Sequence, residues 1–164
     1  MGDPSGWGTP EGEPRTVWRV ARVASFPRAV LLPRRHEDED LPDLCVRTIP
    51  AWRRRFRQVL PRRGGQDCCW FHGGDWHVVS GLAVRLLREA SSDGTEDDIE
   101  LSSRMMIAAR AEGWTGWAWE AFESLVYFPI NVDADGYVNG RHRASAMMAA
   151  GVRKTVVQVL VPDG

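Results

Sequence analysis

Four consecutive residues, Gly140-Arg141-His142-Arg143, combine the groups that bind anions. They follow a short β-like run, Gly136-Tyr137-Val138-Asn139, and open an alanine-rich segment that ends at Gly151. A glycine lets backbone approach a bound group closely. The first N–H groups of a helix lack intrahelical partners, and the helix dipole leaves partial positive charge there. Arg141 and Arg143 add cations to that end, at a cost of up to about 1 kcal/mol that a bound anion would reverse. Asn139, Gly140, Arg141, His142 and Arg143 are therefore candidate phosphate-binding residues. The arginine forks, and His142 when protonated, would meet the phosphate oxygens. Neutralisation by Asp133 or Asp135 is the alternative that spacing leaves open.

Other reactive side chains are more dispersed. Glu120 and Glu123 lie just upstream and are the acid/base candidates if a phosphoryl group is transferred. Glu96, Asp97, Asp98 and Glu100 fit a capped, solvated helix start better than a magnesium site. Cys68, His72 and His77 are ligand types for zinc, but their spacing matches no standard pattern and no metal site is expected. Cys69-Trp70-Phe71 and Trp76-His77-Val78-Val79 read instead as a hairpin around Gly73-Gly74. Arg53, Arg54, Arg55, Arg57, Arg62 and Arg63 form the most basic stretch, with no acid between Ala51 and Arg63. That stretch suits DNA backbone, a protein partner, the chain's own acidic segments or plain solvent.

The segment Tyr137-Val138-Asn139-Gly140-Arg141-His142-Arg143-Ala144-Ser145-Ala146, with Gly151-Val152-Arg153-Lys154-Thr155-Val156-Val157-Gln158-Val159, resembles the Gly-x-x-Arg region of the ParB/sulfiredoxin-like superfamily. Pro129-Ile130-Asn131-Val132 fits as the strand before it, so the resemblance covers Pro129 to Val161. It implies a strand, a glycine turn, a helix and a returning strand, with nucleotide phosphates bound at the turn. ATP or CTP with magnesium is the implied cofactor. Two departures matter. Sulfiredoxins carry a cysteine nucleophile where this chain has Arg141, so sulfinic-acid reduction is not expected. Partition proteins continue into a helix-turn-helix, and Gly164 follows Val161 by three residues. The resemblance therefore implies a ParB-like nucleotide-binding regulator or DNA-associated accessory protein. The alternative it implies is a small-molecule kinase using ATP and magnesium.

These groups need a scaffold. Residues 1–15, rich in Gly, Pro and Glu, predict a disordered arm. Thr16–Ala24 alternates as a strand, and Ala29–Leu32 reads as another. Pro50–Leu60 predicts a helix with Trp52, Phe56, Val59 and Leu60 on one face. Helices follow over Ser80–Ala90, from Thr95 as N-cap to about Ala111, and after Thr115. The second should bury Ile99, Met106, Ile107 and Ala109. Tyr127–Val132 and the β-branched run Thr155–Val161 predict strands, the latter central or nearly so.

With 164 residues the chain suits one domain, over 16–164, in which 16–94 either belongs to the family fold or forms an added lobe. The expected class is α/β (α+β), a small mixed β-sheet flanked by helices. A net charge of −1 gives the whole molecule no field for nucleic acid. The N-terminal residues lack the apolar core of a signal peptide, and no apolar run reaches the roughly 18 residues of a membrane span. Cys45, Cys68 and Cys69 make no disulfide framework. Together these point to a cytoplasmic protein without membrane contact. Eight tryptophans outnumber Phe and Tyr combined, and Trp114, Trp117 and Trp119 crowd one short segment, where some are expected to line a ligand or partner surface.

Overall fold

The computed structural model describes residues 15–27, 70–92, 94–95, 97–133 and 136–161. Among these residues it is a mixed α/β structure with a four-stranded sheet, in the order β1-β4-β2-β3, and four α-helices. β1 (Arg15–Arg22) pairs antiparallel with β4 (Lys154–Val161) along its whole length, from Arg15 opposite Val161 to Arg22 opposite Lys154. The expected strand 16–24 thus ends sooner, and Val23–Ser25 turns into one round of 3₁₀ helix. β2 (Asn131–Asp133) lies on the other side of β4, parallel to it, with Asn131 beside Gln158. β3 (Gly136–Asn139) returns antiparallel to β2 and closes the sheet edge. Thr155, Val156 and Val157 are buried in succession, so both faces of β4 are covered. That is the environment a continuous β-branched run suits.

The helices depart from expectation in informative ways. Trp76–Val79 is the first turn of α1 (Trp76–Ala90) and not a hairpin strand. The Asp75 carboxylate caps it by accepting the His77 N–H at 2.9 Å. Trp76, Val79, Ala83, Leu86 and Ala90 then hold one helical face in the core. The preceding Trp70–His72 is a 3₁₀ turn. α2 (Asp98–Ala111) starts from Asp97 and not Thr95: the Asp97 carboxylate accepts the Glu100 N–H at 2.7 Å. Its buried face is Leu101, Met105, Met106 and Ala109, whereas Ile99 and Ile107 are 79% and 68% exposed. Two apolar stripes compete on this helix, and only the one facing α1 is covered.

α3 (Gly116–Tyr127) follows Thr115, whose hydroxyl makes no capping bond. The strand expected over 127–132 is displaced, because α3 runs through Tyr127 and β2 begins only at Asn131. α4 (Arg141–Ala150) ends on Gly151 at φ 77°. There the Gly151 N–H reaches Met148 O at 3.2 Å and the Val152 N–H reaches Met147 O at 3.0 Å. This is a Schellman closure, and it hands the chain directly to β4.

One hydrophobic cluster joins these elements. It includes Trp18 and Phe26 from the start, Val79 and Leu86 of α1, Met105 of α2, and Phe122 and Leu125 of α3. Ile130, Met147 and Val156 complete it. Full burial of residues such as Phe122 and Leu125 stabilises by about 1.5–3 kcal/mol each. The described part of residues 16–94 therefore shares its core with the C-terminal half. No helix among the described residues is long and apolar enough to cross a membrane.

Candidate functional site

The expected turn lies between β3 and α4. Gly140 has φ 81° and ψ 14°, in the left-handed region that penalises other residues. A Cβ there would also stand 2.8 Å from Ile130 Cα and Cγ1, so close approach and backbone conformation both call for glycine. The Asn139 carboxamide oxygen accepts the Gly140 N–H at 2.7 Å and fixes the entry to the turn. No side chain among the described residues caps α4. Its first backbone bond runs from the Ala144 N–H to Gly140 O at 2.9 Å. The amides of Arg141, His142 and Arg143 precede that bond, at the positive end of the helix dipole.

The two arginines have different fates. Arg141 is half-buried at the turn. Arg143, expected to grip phosphate directly, is only 5% exposed and points inward. Its Nη1 donates to the Ser124 carbonyl and, at 3.3 Å, to Ser124 Oγ. Its Nη2 donates to Asn139 Oδ1 at 3.5 Å. Ser124 lies in the last turn of α3, where its carbonyl also accepts the Phe128 N–H at 3.1 Å and the negative end of the helix dipole favours a cation. Arg143 thus ties the end of α3 to the start of α4. No carboxylate among the described residues pairs with it, and burial pushes its pKa down to about 10. Burial, and then the charge of Arg141, push the pKa of His142 below its ordinary value. At neutral pH its ring is an uncharged hydrogen-bonding group, so the protonated contact considered from sequence is disfavoured.

Three elements meet at this turn. The 3₁₀ turn Trp70–His72 sets Phe71 against His142, with ring centroids 5.5 Å apart. It also sets Trp70 against Trp117 of α3 at 5.6 Å. The Trp117 indole N–H donates to Trp70 O at 2.9 Å, and the Trp70 indole N–H donates to Glu120 Oε2 at 3.3 Å. Trp117, Glu120 and Ser124 form a stripe along α3 that runs from the aromatic cluster to Arg143. Successive contacts through Trp70 and Phe71 link Glu120 to His142 of the turn. Glu120 is exposed, and Glu123, one position before Ser124, is half-buried. Gly74 makes the cluster feasible, since a Cβ there would fall 2.1 Å from Trp117 Cε3.

A second polar group lies on the sheet. Trp18, Gln158, Asn131 and Asn139 are consecutive neighbours across β1, β4, β2 and β3. Over this row sits Asp98, the first residue of α2. Gln158 Nε2 donates to Asp98 Oδ2 at 3.4 Å, and Trp18 Nε1 donates to Asp98 O at 3.4 Å. Burial raises the Asp98 pKa, opposed by hydrogen bonds from Thr16 and Trp18. Asn131 Oδ1 is buried without a hydrogen-bond partner, while Asn139 Oδ1 serves Gly140 and Arg143. Sequence reasoning grouped Asp98 with the solvated acids Asp97 and Glu100 and passed over Gln158 and Ser124. Trp70 and Phe71, expected in a strand, lie in the 3₁₀ turn. The signal for Ser124 was absent, because a serine near a helix end has many uses; the signal for Trp70 was the local tryptophan density.

The remaining candidates separate clearly. Arg53, Arg54, Arg55 and Arg57, with Arg62 and Arg63, lie outside the described residues, as do Ala29–Leu32, the predicted helix 50–60 and Cys45, Cys68 and Cys69. His72 is buried. His77 Nε2 lies 2.9 Å from Ala150 O and, as donor, caps the C-terminal end of α4. Among the described residues, no group of three or more His, Cys, Asp or Glu converges to hold a metal ion. Comparison with protein-family models, curated proteins and solved structures gave no match.

Proposed function

We propose that the protein binds a phosphate-bearing ligand, a nucleotide, at the Asn139–Arg143 turn, as a ParB/sulfiredoxin-like domain of the regulatory or DNA-associated kind. One observation carries this reading: a helix start on a left-handed glycine, with no side-chain cap among the described residues, stands beside a buried guanidinium that pairs with no carboxylate among them. Amides, dipole and charge together favour an anion there. Arg143 contributes charge and positioning, while Arg141 and the first amides of α4 contact the phosphate. The β2-β3-α4-β4 order supports the superfamily assignment. Binding is favoured over covalent catalysis, since Arg141 stands where sulfiredoxins carry their cysteine nucleophile.

Thermal denaturation with ATP, CTP, GTP and inorganic triphosphate, each with and without magnesium, tests the proposal. A ligand at 100 times its Kd stabilises by about 2.7 kcal/mol. Arg141→Ala, which leaves the buried Arg143 tie intact, is expected to abolish most of that shift. The absence of any shift, or an undiminished shift in Arg141→Ala, would sink the proposal. Appearance of nucleoside diphosphate in the presence of small hydroxyl acceptors would turn the reading to kinase.

A further inference from the structure

We propose that Trp70 and Glu120 read a base beside the α4 turn, and that the base is guanine. This rests on the phosphate reading of the turn and adds what the phosphate carries. Trp70 remains 40% exposed although it is held on several sides. Its ring meets Trp117 at a 43° tilt and Phe71 edge-on at 5.2 Å, and its carbonyl accepts the Trp117 indole N–H. A ring anchored in this way has little freedom left to lose on binding, and its exposed part is where a base would stack. Every base has a π-face, so stacking alone does not select among bases.

Selection falls to Glu120. The Trp70 indole N–H holds its carboxylate at the edge of the stacking surface, and the exposed carboxylate keeps further acceptor capacity. An acceptor-only group favours a ring edge with adjacent N–H donors. Guanine offers N1–H and its exocyclic amino group side by side. Adenine and cytosine place one amino group next to an acceptor nitrogen, and the uracil N–H is flanked by two carbonyls. The other end of the site has the opposite polarity. Phe71 stands between Trp70 and His142, which is flanked by Arg141 and Arg143. A ligand with donors at one end and anionic oxygens at the other matches this arrangement.

Calorimetric titration of the full chain with GTP, ATP, UTP and inorganic triphosphate tests the inference. GTP is expected to bind at least about tenfold tighter than either UTP or inorganic triphosphate. Glu120→Gln retains an acceptor for Trp70 but turns an amide donor toward the base. It is expected to bring GTP to the UTP level and leave triphosphate binding unchanged. Trp70→Leu is expected to bring every nucleotide to the triphosphate level. Triphosphate binding with equal affinity for the three nucleotides, or a guanine preference that survives Glu120→Gln, overturns the base site and leaves the phosphate site standing. Failure of triphosphate and all nucleotides to bind overturns both.

Discussion

Arg143 concentrates the electrostatic tension of the candidate site. Lowering a guanidinium pKa to about 10 corresponds to a penalty on the order of 3 kcal/mol on its charged form. Burial is its cause, and an anion at the adjacent amides would offset it. The sequence distinguished Gly140 easily, because a glycine between a β-like run and an alanine-rich helix has a backbone reason to be there. It could not distinguish Arg141 from Arg143. Both flank His142, and only the tertiary position of Ser124 decides which one turns inward. His142 provides a titration test. Its folded pKa lies below its unfolded value near 6.5, so the unfolded chain takes up the proton first as pH falls. Its contribution is present above about pH 6.5 and is lost as pH drops through the folded pKa. Urea midpoints at pH 7.5 and 5.5 should show this loss, and His142→Gln should reduce the difference between them. An unchanged difference would assign the loss to other groups.

At the level of elements, the errors of sequence reading share a cause. Gly73-Gly74 looks like a hairpin turn, yet its second glycine exists to admit an indole. Gly74→Ala would drive a methyl group into Trp117. Overpacking of this kind costs about 1–3 kcal/mol, and displacement of Trp117 would disturb both Trp70 and Glu120. Lower urea stability together with weakened guanine preference is expected, whereas inorganic triphosphate should still bind to the folded variant. Retention of wild-type stability would show that Trp117 moves aside freely. In α2, apolar spacing permitted two buried faces, and the choice of Met105 over Ile107 depends on where α1 lies. Tyr127 and Phe128 carry strong β-propensity, but α3 extends through Tyr127 before the chain can enter the sheet. Local preference is overridden wherever a neighbouring element is already committed to a face.

For the whole molecule, the mixed sheet with flanking helices was legible because β4 announces itself by composition. The pairing partner of β1 was not, since alternation in Thr16–Ala24 says nothing about a strand some 140 residues away. That long-range pairing draws the first strand into the same core as the last. Trp18→Ala removes a buried indole that also donates to the start of α2, and a change of this kind costs about 3–5 kcal/mol. The wild type should unfold in one transition, coincident by far-UV circular dichroism and tryptophan fluorescence, and Trp18→Ala should lower it as a unit. Two separated transitions would instead indicate that an early lobe folds independently.

The row Trp18, Gln158, Asn131 and Asn139 works as a ruler laid across the sheet. Side chains alternate faces with a period of two, so sliding β4 by one residue would turn Gln158 away from Asp98 and set a valine beside Asn131. Such a slip would bury an amide on the wrong side and remove the Gln158 donor from the carboxylate. The alignment is therefore discrete, not graded. Asn139 stands at the far mark of that ruler and holds Gly140, so the elevation of the Gly140 turn above the sheet is set by strand register. A substitution that left every residue of the turn intact but shifted β4 would misplace the whole turn in one step.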